Sequence, residues 1–284
     1  MPHPSVQDGL GLVRTKHVHP MTRPRAGRLA FTLVEVLVVI GVIVILLGIL
    51  LPGLASVRRE SLASSCLSNL RQISIAHLSY MTVHKERFAD VGLPHGSLGA
   101  PERSFLNTLK PYSDEPLMFR SPLDTSPHWP ADLGGEGEPI NNGSPPLYRL
   151  TSYGMNNYLS RTFSPLAALE GAGAGADALS RVRSPESTIC FLRMVDRGLY
   201  ASSDHPHVEE WDPDPSSSAD SPSVAASQVQ VNSIDQGKPS ESSRSSWSFI
   251  DGRVQAIEFG RLFETSTSNR FDPAISASMQ SGLQ

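Results

Sequence analysis

One apolar run near the N-terminus constrains this chain more than any other feature. Residues 31–53 read FTLVEVLVVIGVIVILLGILLPG, and Glu35 is the one charged side chain among them. A membrane-spanning helix needs about 20 predominantly apolar residues, and Phe31 to Leu51 supply that length. A carboxylate inside such a run is costly and indicates a functional site. The simpler interpretation is a signal anchor whose acid reaches the headgroups.

A basic segment precedes the run. Residues 1–30 contain five Lys or Arg residues and one Asp, a formal charge of +4. The positive-inside rule places this segment in the cytoplasm and the rest of the chain outside. Its removal would lower the formal charge from −4 to −8, so we expect no nucleic-acid partner. A secretory signal peptide cleaved after Ala55 is the alternative, although its apolar region would exceed the usual length of about 7–15 residues.

The run and its flanks resemble the prepilin signature of type IV pilins and type II secretion pseudopilins. The resemblance implies that a prepilin peptidase/N-methyltransferase cuts between Ala30 and Phe31 and methylates Phe31. Glu35 is then the fifth mature residue, and Pro52 falls where many members carry a helix-bending proline. Ala30 departs from the Gly that usually precedes the cut. The other implied partners are an assembly platform protein and further pseudopilin subunits in the cytoplasmic membrane.

The helical pattern continues beyond Pro52. Apolar residues recur at steps of three and four to about Val83, at Leu54, Val57, Leu62, Cys66, Leu70, Ile73, His77 and Tyr80. The sequence predicts one helix from Phe31 to about Val83, membrane-spanning over 31–52 and continued amphipathically over 53–88. Pro52 predicts a kink, because it removes a backbone hydrogen bond. We interpret His77 as a partly buried helix residue and not as a ligand.

Three short motifs resemble a large group of pseudopilin-like proteins whose heads have no assigned function. They are Asn69-Leu70-Arg71-Gln72 after Cys66, Ser152-Tyr153-Gly154-Met155-Asn156, and Asp251-Gly252. Two positions depart from that group. Glu241 stands where the group has a His ten residues before the Asp, and Ser121-Pro122-Leu123-Asp124 stands for Cys-Pro-Ser-Asp. Roles tied to the missing His or Cys are therefore not transferred.

Residues 89–284 are predicted to form a β-rich extracytoplasmic head, so the expected fold class is α+β and pilin-like. In residues 246–259, Asp251-Gly252 suits the centre of a type I′ hairpin turn. That turn pairs Phe249 with Val254 and Trp247 with Ala256, which gives one apolar face over the helix and one polar face.

Other parts of the head give weaker signals. Residues 188–195 predict a second strand and residues 147–153 a weaker third. The Gly/Ala-rich stretch near 166–178 and the Ser/Pro/Asp-rich stretch near 212–246 predict disordered loops. An extracytoplasmic location would permit a disulfide between Cys66 and Cys190, but we favour two free thiols.

The sequence contains no recognisable catalytic motif: it has no Gly-x-Ser-x-Gly, phosphate loop, HExxH or paired-cysteine metal spacing. One polar cluster could supply ligands to Ca²⁺, but its spacing matches no known calcium loop and we favour a solvated loop. Its members are Asp204, His205, His207, Glu209, Glu210, Asp212 and Asp214. Asp251 could be an acid catalyst, although its place before Gly252 already has a turn explanation.

These patterns together predict a pseudopilin-like structural subunit with no enzymatic activity and no required cofactor. It would polymerise into a type II secretion pseudopilus or a type IV pilus-like filament. Two alternatives stay open. One is a signal-anchored surface protein that does not polymerise and carries a binding head, and the other is a secreted hydrolase.

Overall fold

A long helix dominates the N-terminal part of the computed structural model, which describes residues 32–95, 101–216, 218–235 and 237–276. Helix α1 spans Leu33–Val83 and runs through Pro52 as one element. The predicted helix is thereby confirmed from Leu33 onward, whereas Ala30 and Phe31 lie outside the described residues. The kink at Pro52 stays a prediction. The chain up to Leu51 and the chain from Pro52 onward form two separate units.

A small antiparallel sheet forms the centre of the second unit. Its strands lie side by side in the order β1-β2-β3-β4, with the bounds Tyr153–Met155, Ile189–Arg193, Arg244–Phe249 and Val254–Glu258. Strands β5 (Phe263–Thr265) and β6 (Ser268–Asn269) form a separate pair. The fold is mixed α+β, as the sequence predicts. The weaker predicted strand near 147–153 begins only at its last residue, Tyr153.

Short helices lie in the connections: α2 (Phe105–Leu109) between α1 and β1, α3 (Pro165–Glu170) between β1 and β2, and α4 (Ser221–Ala225) between β2 and β3. Both stretches with disorder-prone composition contain one of them. Around α4 the chain also buries Val229 and Val231. A few apolar residues thus anchor the stretch near 212–246. The average composition of that stretch does not reveal this. Single 3-10 turns occupy Pro101–Arg103, Lys110–Tyr112, Ala131–Leu133, Asn157–Leu159, Leu179–Arg181, Leu199–Ser202, Val208–Glu210 and Phe259–Arg261.

The sheet is covered on both faces. The helix-side core joins one face to residues 63–81 of α1, here called the packed segment, and contains Cys66, Leu70, Ile73, Tyr153 and Phe191. The outer core covers the opposite face and contains Ile189, Leu192, Trp211, Trp247, Phe249 and Phe271. Leu54 and Val57, predicted as part of the packed stripe, are instead exposed. The helix therefore contributes apolar side chains to the head only from about residue 62 onward, and Glu60 Oε1 forms an ion pair with Arg244 Nη2 at 3.6 Å.

The β3–β4 hairpin forms as predicted, but its turn and register are different. Ser248 pairs with Val254 and Trp247 with Gln255, one residue away from the predicted register. Gly252 N donates to Phe249 O at 3.0 Å, and Gly252 has a φ of +86°. The loop is therefore Ile250-Asp251-Gly252, a three-residue loop that ends in a left-handed glycine, and not a type I′ turn.

The face of β3 toward α1 is polar, contrary to the prediction of an apolar face there. Ser74 of α1 and Ser248 of β3 share a hydrogen bond of 2.6 Å between their hydroxyl oxygens. Trp247 and Phe249 instead belong to the outer core. A one-residue shift of register reverses the faces of a strand relative to its partner strand. The third loop residue therefore accounts for the difference between the predicted and the observed face of β3.

We predict that Gly252→Val destabilises the head. A left-handed conformation costs about 1–2 kcal/mol for a residue with a Cβ. A Cβ at this position would also lie 2.9 Å from Leu78 Cδ1. Asp251→Asn is the matched control, since Asp251 is exposed and Asn accepts the same hydrogen bond from Arg253 N. Thermal unfolding followed by circular dichroism should show a lower Tm for Gly252→Val alone, and equal Tm values would contradict the turn.

Candidate functional site

The first part of α1 presents an apolar surface that is exposed in the part of the chain that the structure describes. Its large hydrophobic side chains between Leu33 and Leu51, here called the apolar segment, are 46–81% exposed. An 18-residue window of α1 has a mean hydropathy of 3.2, and none of it is buried. By length and composition this helix can cross a membrane. Because so large an apolar surface is unfavourable in water, we expect lipid or other apolar helices to cover it.

Glu35 lies in the first turn of α1, where Thr32 holds it. Thr32 N donates to Glu35 Oε2 at 2.8 Å, and Glu35 N donates to Thr32 Oγ1 at 3.2 Å. This reciprocal pair is a capping box, in which residues at the N-cap and the third helical position satisfy one another's free backbone N–H groups. The Thr-x-x-Glu spacing at 32–35 is legible in the sequence. Glu35 therefore has a local structural partner in addition to any role between subunits.

The three motifs that resemble the pseudopilin-like group meet at α1. Asn69 Nδ2 donates to Tyr153 Oη at 3.1 Å. Arg71 Nη1 donates to the backbone oxygen of Gly252 at 2.7 Å. The first motif thus contacts both of the others across 84 and 181 residues of sequence. These contacts give the motif residues a structural role, which is to fix the packed segment to β1 and to the hairpin.

Ser121, which stands where the group has Cys, lies against Cys66. Its Oγ is 3.5 Å from Cys66 Sγ, and both side chains are buried. Cys66 and Cys190 are both free thiols, as the sequence analysis favours.

Asp124, three residues further on, is a buried acid with a buried partner. Arg149 Nε donates to Asp124 Oδ2 at 2.8 Å, and both side chains are fully buried. Burial opposes ionisation of Asp124, but Arg149 and hydrogen bonds from Ser152 and Ser126 lower its pKa overall. The remaining guanidinium nitrogens of Arg149 donate to backbone oxygens, including Ala201 O at 3.0 Å. Removal of either partner would leave the other charge buried and unpaired, which is strongly destabilising. We therefore assign the Asp124–Arg149 pair a structural role.

Cys190 and His77 bring a thiol and an imidazole together in the helix-side core. Cys190 Sγ lies 3.7 Å from His77 Nδ1. Burial raises the pKa of the Cys190 thiol well above its usual range and lowers the pKa of His77 to about 3. His77 Nε2 also accepts a hydrogen bond from Ala89 N at 3.2 Å. A neutral, enclosed thiol is a poor nucleophile, so this pair is part of the packing and not a catalytic dyad.

A histidine cluster lies at the edge of the head, formed by His95, His205 and His207. One potential ligand atom from each side chain lies within 4.8 Å of those of the other two. His205 is fully buried, whereas His95 and His207 are half-buried. His95 lies in the segment after α1, and the other two lie between two 3-10 turns more than a hundred residues later. The fold alone brings them together.

Two carboxylates orient two of these rings. His207 Nδ1 donates to Glu209 Oε1 at 2.9 Å, and His205 Nδ1 lies 3.2 Å from Asp204 Oδ1. Asp204 is itself held by backbone N–H groups, including Leu93 N at 3.0 Å. The hydrogen bond to Glu209 raises the pKa of His207, whereas burial, followed by the two neighbouring imidazoles, lowers the pKa of His95 to about 4.

The structure therefore separates the predicted polar cluster into different roles. His205 and His207 face His95, which the sequence analysis did not select. Asp204 and Glu209 act on the rings from outside. Asp212 accepts a hydrogen bond from Ser266 N at 2.9 Å, in another part of the head. The assembled side chains offer nitrogen donors, whereas Ca²⁺ prefers oxygen ligands.

Comparisons with known proteins add no relative to these observations. No protein-family model, no curated protein and no solved structure matches the chain.

We predict that Ser121→Cys forms a disulfide with Cys66, because the two side chains already touch. A cross-link between these positions should raise stability by about 2–4 kcal/mol. Titration of denatured, unreduced protein should find one thiol in this variant and two in the wild type. Ser126→Cys is the control, since Ser126 is equally buried but contacts His128 N. Three titratable thiols in Ser121→Cys would contradict the prediction.

Proposed function

We propose that this chain is a pseudopilin-like structural subunit of a type II secretion pseudopilus or type IV pilus-like filament. The observation that carries the proposal is the apolar segment, an exposed helical surface with one acid in its first turn, directly after a basic leader. Before assembly the bilayer covers this surface. In the filament the same surface packs against the equivalent helices of neighbouring subunits.

Glu35 fixes the position of each subunit relative to the next. After cleavage between Ala30 and Phe31, the free amine of Phe31 on one subunit pairs with Glu35 on its neighbour. Two charges in an apolar bundle are tolerated only when well paired, so the contact defines axial register more than it adds stability. The capping box supports this arrangement, because Thr32 holds the Glu35 carboxylate at the N-terminal end of the helix.

The contacts of the packed segment support the same function. Asn69 and Arg71 hold the head on the helix that continues the apolar segment in sequence. A subunit of this kind needs a head that stays attached to its helix when the helix leaves the membrane. The prepilin peptidase/N-methyltransferase, the platform protein and the other subunits remain proposed partners.

The capping box also favours a second candidate, a signal-anchored surface protein that does not polymerise. In that case Thr32 satisfies Glu35 locally, and the acid needs no partner on another chain. The apolar segment then serves only to hold the head at the membrane.

We predict that the mature protein begins at N-methyl-Phe31. Intact mass and N-terminal peptide analysis of membrane-extracted protein would measure this. Ala30→Gly should leave the site of cleavage unchanged, whereas a bulky residue at position 30 should block it. A mature chain that begins at Ser56, or one that retains Met1, would rule out prepilin processing.

The role of Glu35 can be separated from its capping role with three variants. Gln is accepted in a capping box, so Glu35→Gln keeps the cap but removes the charge, while Glu35→Leu removes both. Thr32→Ala removes the cap and keeps the charge. If Glu35 pairs with a neighbour's amine, Glu35→Gln and Glu35→Leu both lose about 3–5 kcal/mol, more than about a hundredfold in assembly. Thr32→Ala should lose only about 0.5–2 kcal/mol.

The measurement is cross-linking of subunits into ladders in membranes that contain the processing and assembly machinery. We expect ladders from the wild type, weaker ladders from Thr32→Ala, and none from the two Glu35 variants. Normal ladders from Glu35→Gln would limit Glu35 to capping. An absence of ladders in every protein, with normal membrane retention, would favour the anchor that does not polymerise.

A further inference from the structure

The histidine cluster has the ligand set of a transition-metal site. Three imidazoles with an open fourth position are one of the arrangements that bind catalytic Zn²⁺, and imidazole suits Zn, Cu, Ni and Fe. The ring centroid of His95 lies 4.6 Å from that of His205 and 4.6 Å from that of His207. The centroids of His205 and His207 lie 5.7 Å apart. Zn–N bonds of about 2.0–2.1 Å place tetrahedral ligand nitrogens roughly 3.3 Å apart. The ligand atoms now lie at most 4.8 Å apart, so metal binding requires side-chain rotations that bring them closer together.

One buried ring nitrogen in this cluster makes no hydrogen bond with the described residues. His205 Nε2 is completely buried and has no hydrogen-bond partner in the part of the chain that the structure describes. A buried polar atom without a partner costs free energy comparable to a lost hydrogen bond. The other nitrogen of the same ring faces Asp204 Oδ1 and Ser203 Oγ, so Nε2 is the atom that remains for a ligand. Phe163 packs on this ring with centroids 4.4 Å apart, which keeps water from that side.

The surrounding carboxylates complete the arrangement. Metal-binding histidines usually donate their second ring N–H to a carboxylate or a backbone oxygen, which fixes the ring and makes it a stronger ligand. His207 has Glu209 in that position, and Asn157 Nδ2 in turn donates to Glu209 Oε2. His205 has Asp204, and His95 Nε2 lies 3.3 Å from the backbone oxygen of His205. Each of the three rings thus has one nitrogen engaged by a carboxylate or a backbone oxygen.

We propose that His95, His205 and His207 bind one divalent transition-metal ion of the zinc class, with a fourth position open to water or a small ligand. The ion ties the segment that follows α1 to the loop that carries His205 and His207. Asp204 already joins the same two segments through Gly92 N and Leu93 N. The site is independent of filament assembly, because none of its residues lies in the apolar segment.

The test is zinc binding to the full-length chain, purified in detergent with an affinity tag that contains no histidine and first stripped of metal by a chelator. Zn²⁺ titration calorimetry should give one ion per wild-type chain. Substitution of Co²⁺ should give the visible absorption of a four-coordinate site. His95→Gln and His207→Gln should each abolish both signals. Glu209→Gln should weaken zinc binding by about 10- to 100-fold, as loss of an orienting carboxylate does elsewhere.

The control is His84→Gln, since His84 is half-buried like His95 but pairs with Tyr112 Oη at 2.7 Å, away from the cluster. It should bind zinc like the wild type. Thermal unfolding separates ligand loss from misfolding: all variants should match the wild-type Tm without metal, and only His95→Gln and His207→Gln should lose the rise in Tm with Zn²⁺. Zinc binding that survives in a folded His95→Gln or His207→Gln would overturn the proposal, as would equal loss in His84→Gln.

Discussion

The packed segment of α1 is the element on which the rest of the head depends. Its buried side chains contribute one wall of the helix-side core, and its polar side chains hold the two motifs that come later in the chain. A small sheet with one strand of three residues has too little apolar area to fold alone. The helix supplies that area. Leu70 and Ile73 are buried in the helix-side core together with Tyr153 of β1 and Phe191 of β2.

Because the sheet is covered on both faces, the head must accommodate many buried polar groups. Ser248 of β3 shares a hydrogen bond with Ser74 of α1, and Ser245 of β3 shares one with Ser233. Arg149 is enclosed entirely and is balanced by Asp124 and backbone oxygens. Burial of such groups costs free energy unless they find hydrogen-bond partners, which Ser74, Ser248 and Arg149 have. Loops make up much of this head and contain few apolar residues. The buried polar contacts therefore specify one arrangement of these loops.

The apolar segment and the histidine cluster lie in different units of the chain. The apolar segment belongs to the N-terminal unit, and its large side chains are exposed in the part of the chain that the structure describes. The histidine cluster belongs to the head and is assembled from within it. One surface is recognised by length and hydropathy, which are local. The other is recognised by ring geometry and by an unpartnered buried nitrogen, which are not local.

The sequence by itself determined the helix, the presence of a hairpin at residues 246–259, the second strand and the mixed α+β class. Periodicity and turn residues act over a few positions, so they are legible without a fold. The capping box of Thr32 and Glu35 was equally legible. Only the tertiary structure decided the register of the hairpin. The loop has three residues where a two-residue turn is predicted, and the extra residue reverses the faces of β3 relative to β4. It alone brought His95 to His205 across 110 residues of sequence, since no local spacing encodes a contact that exists only when distant segments pack together.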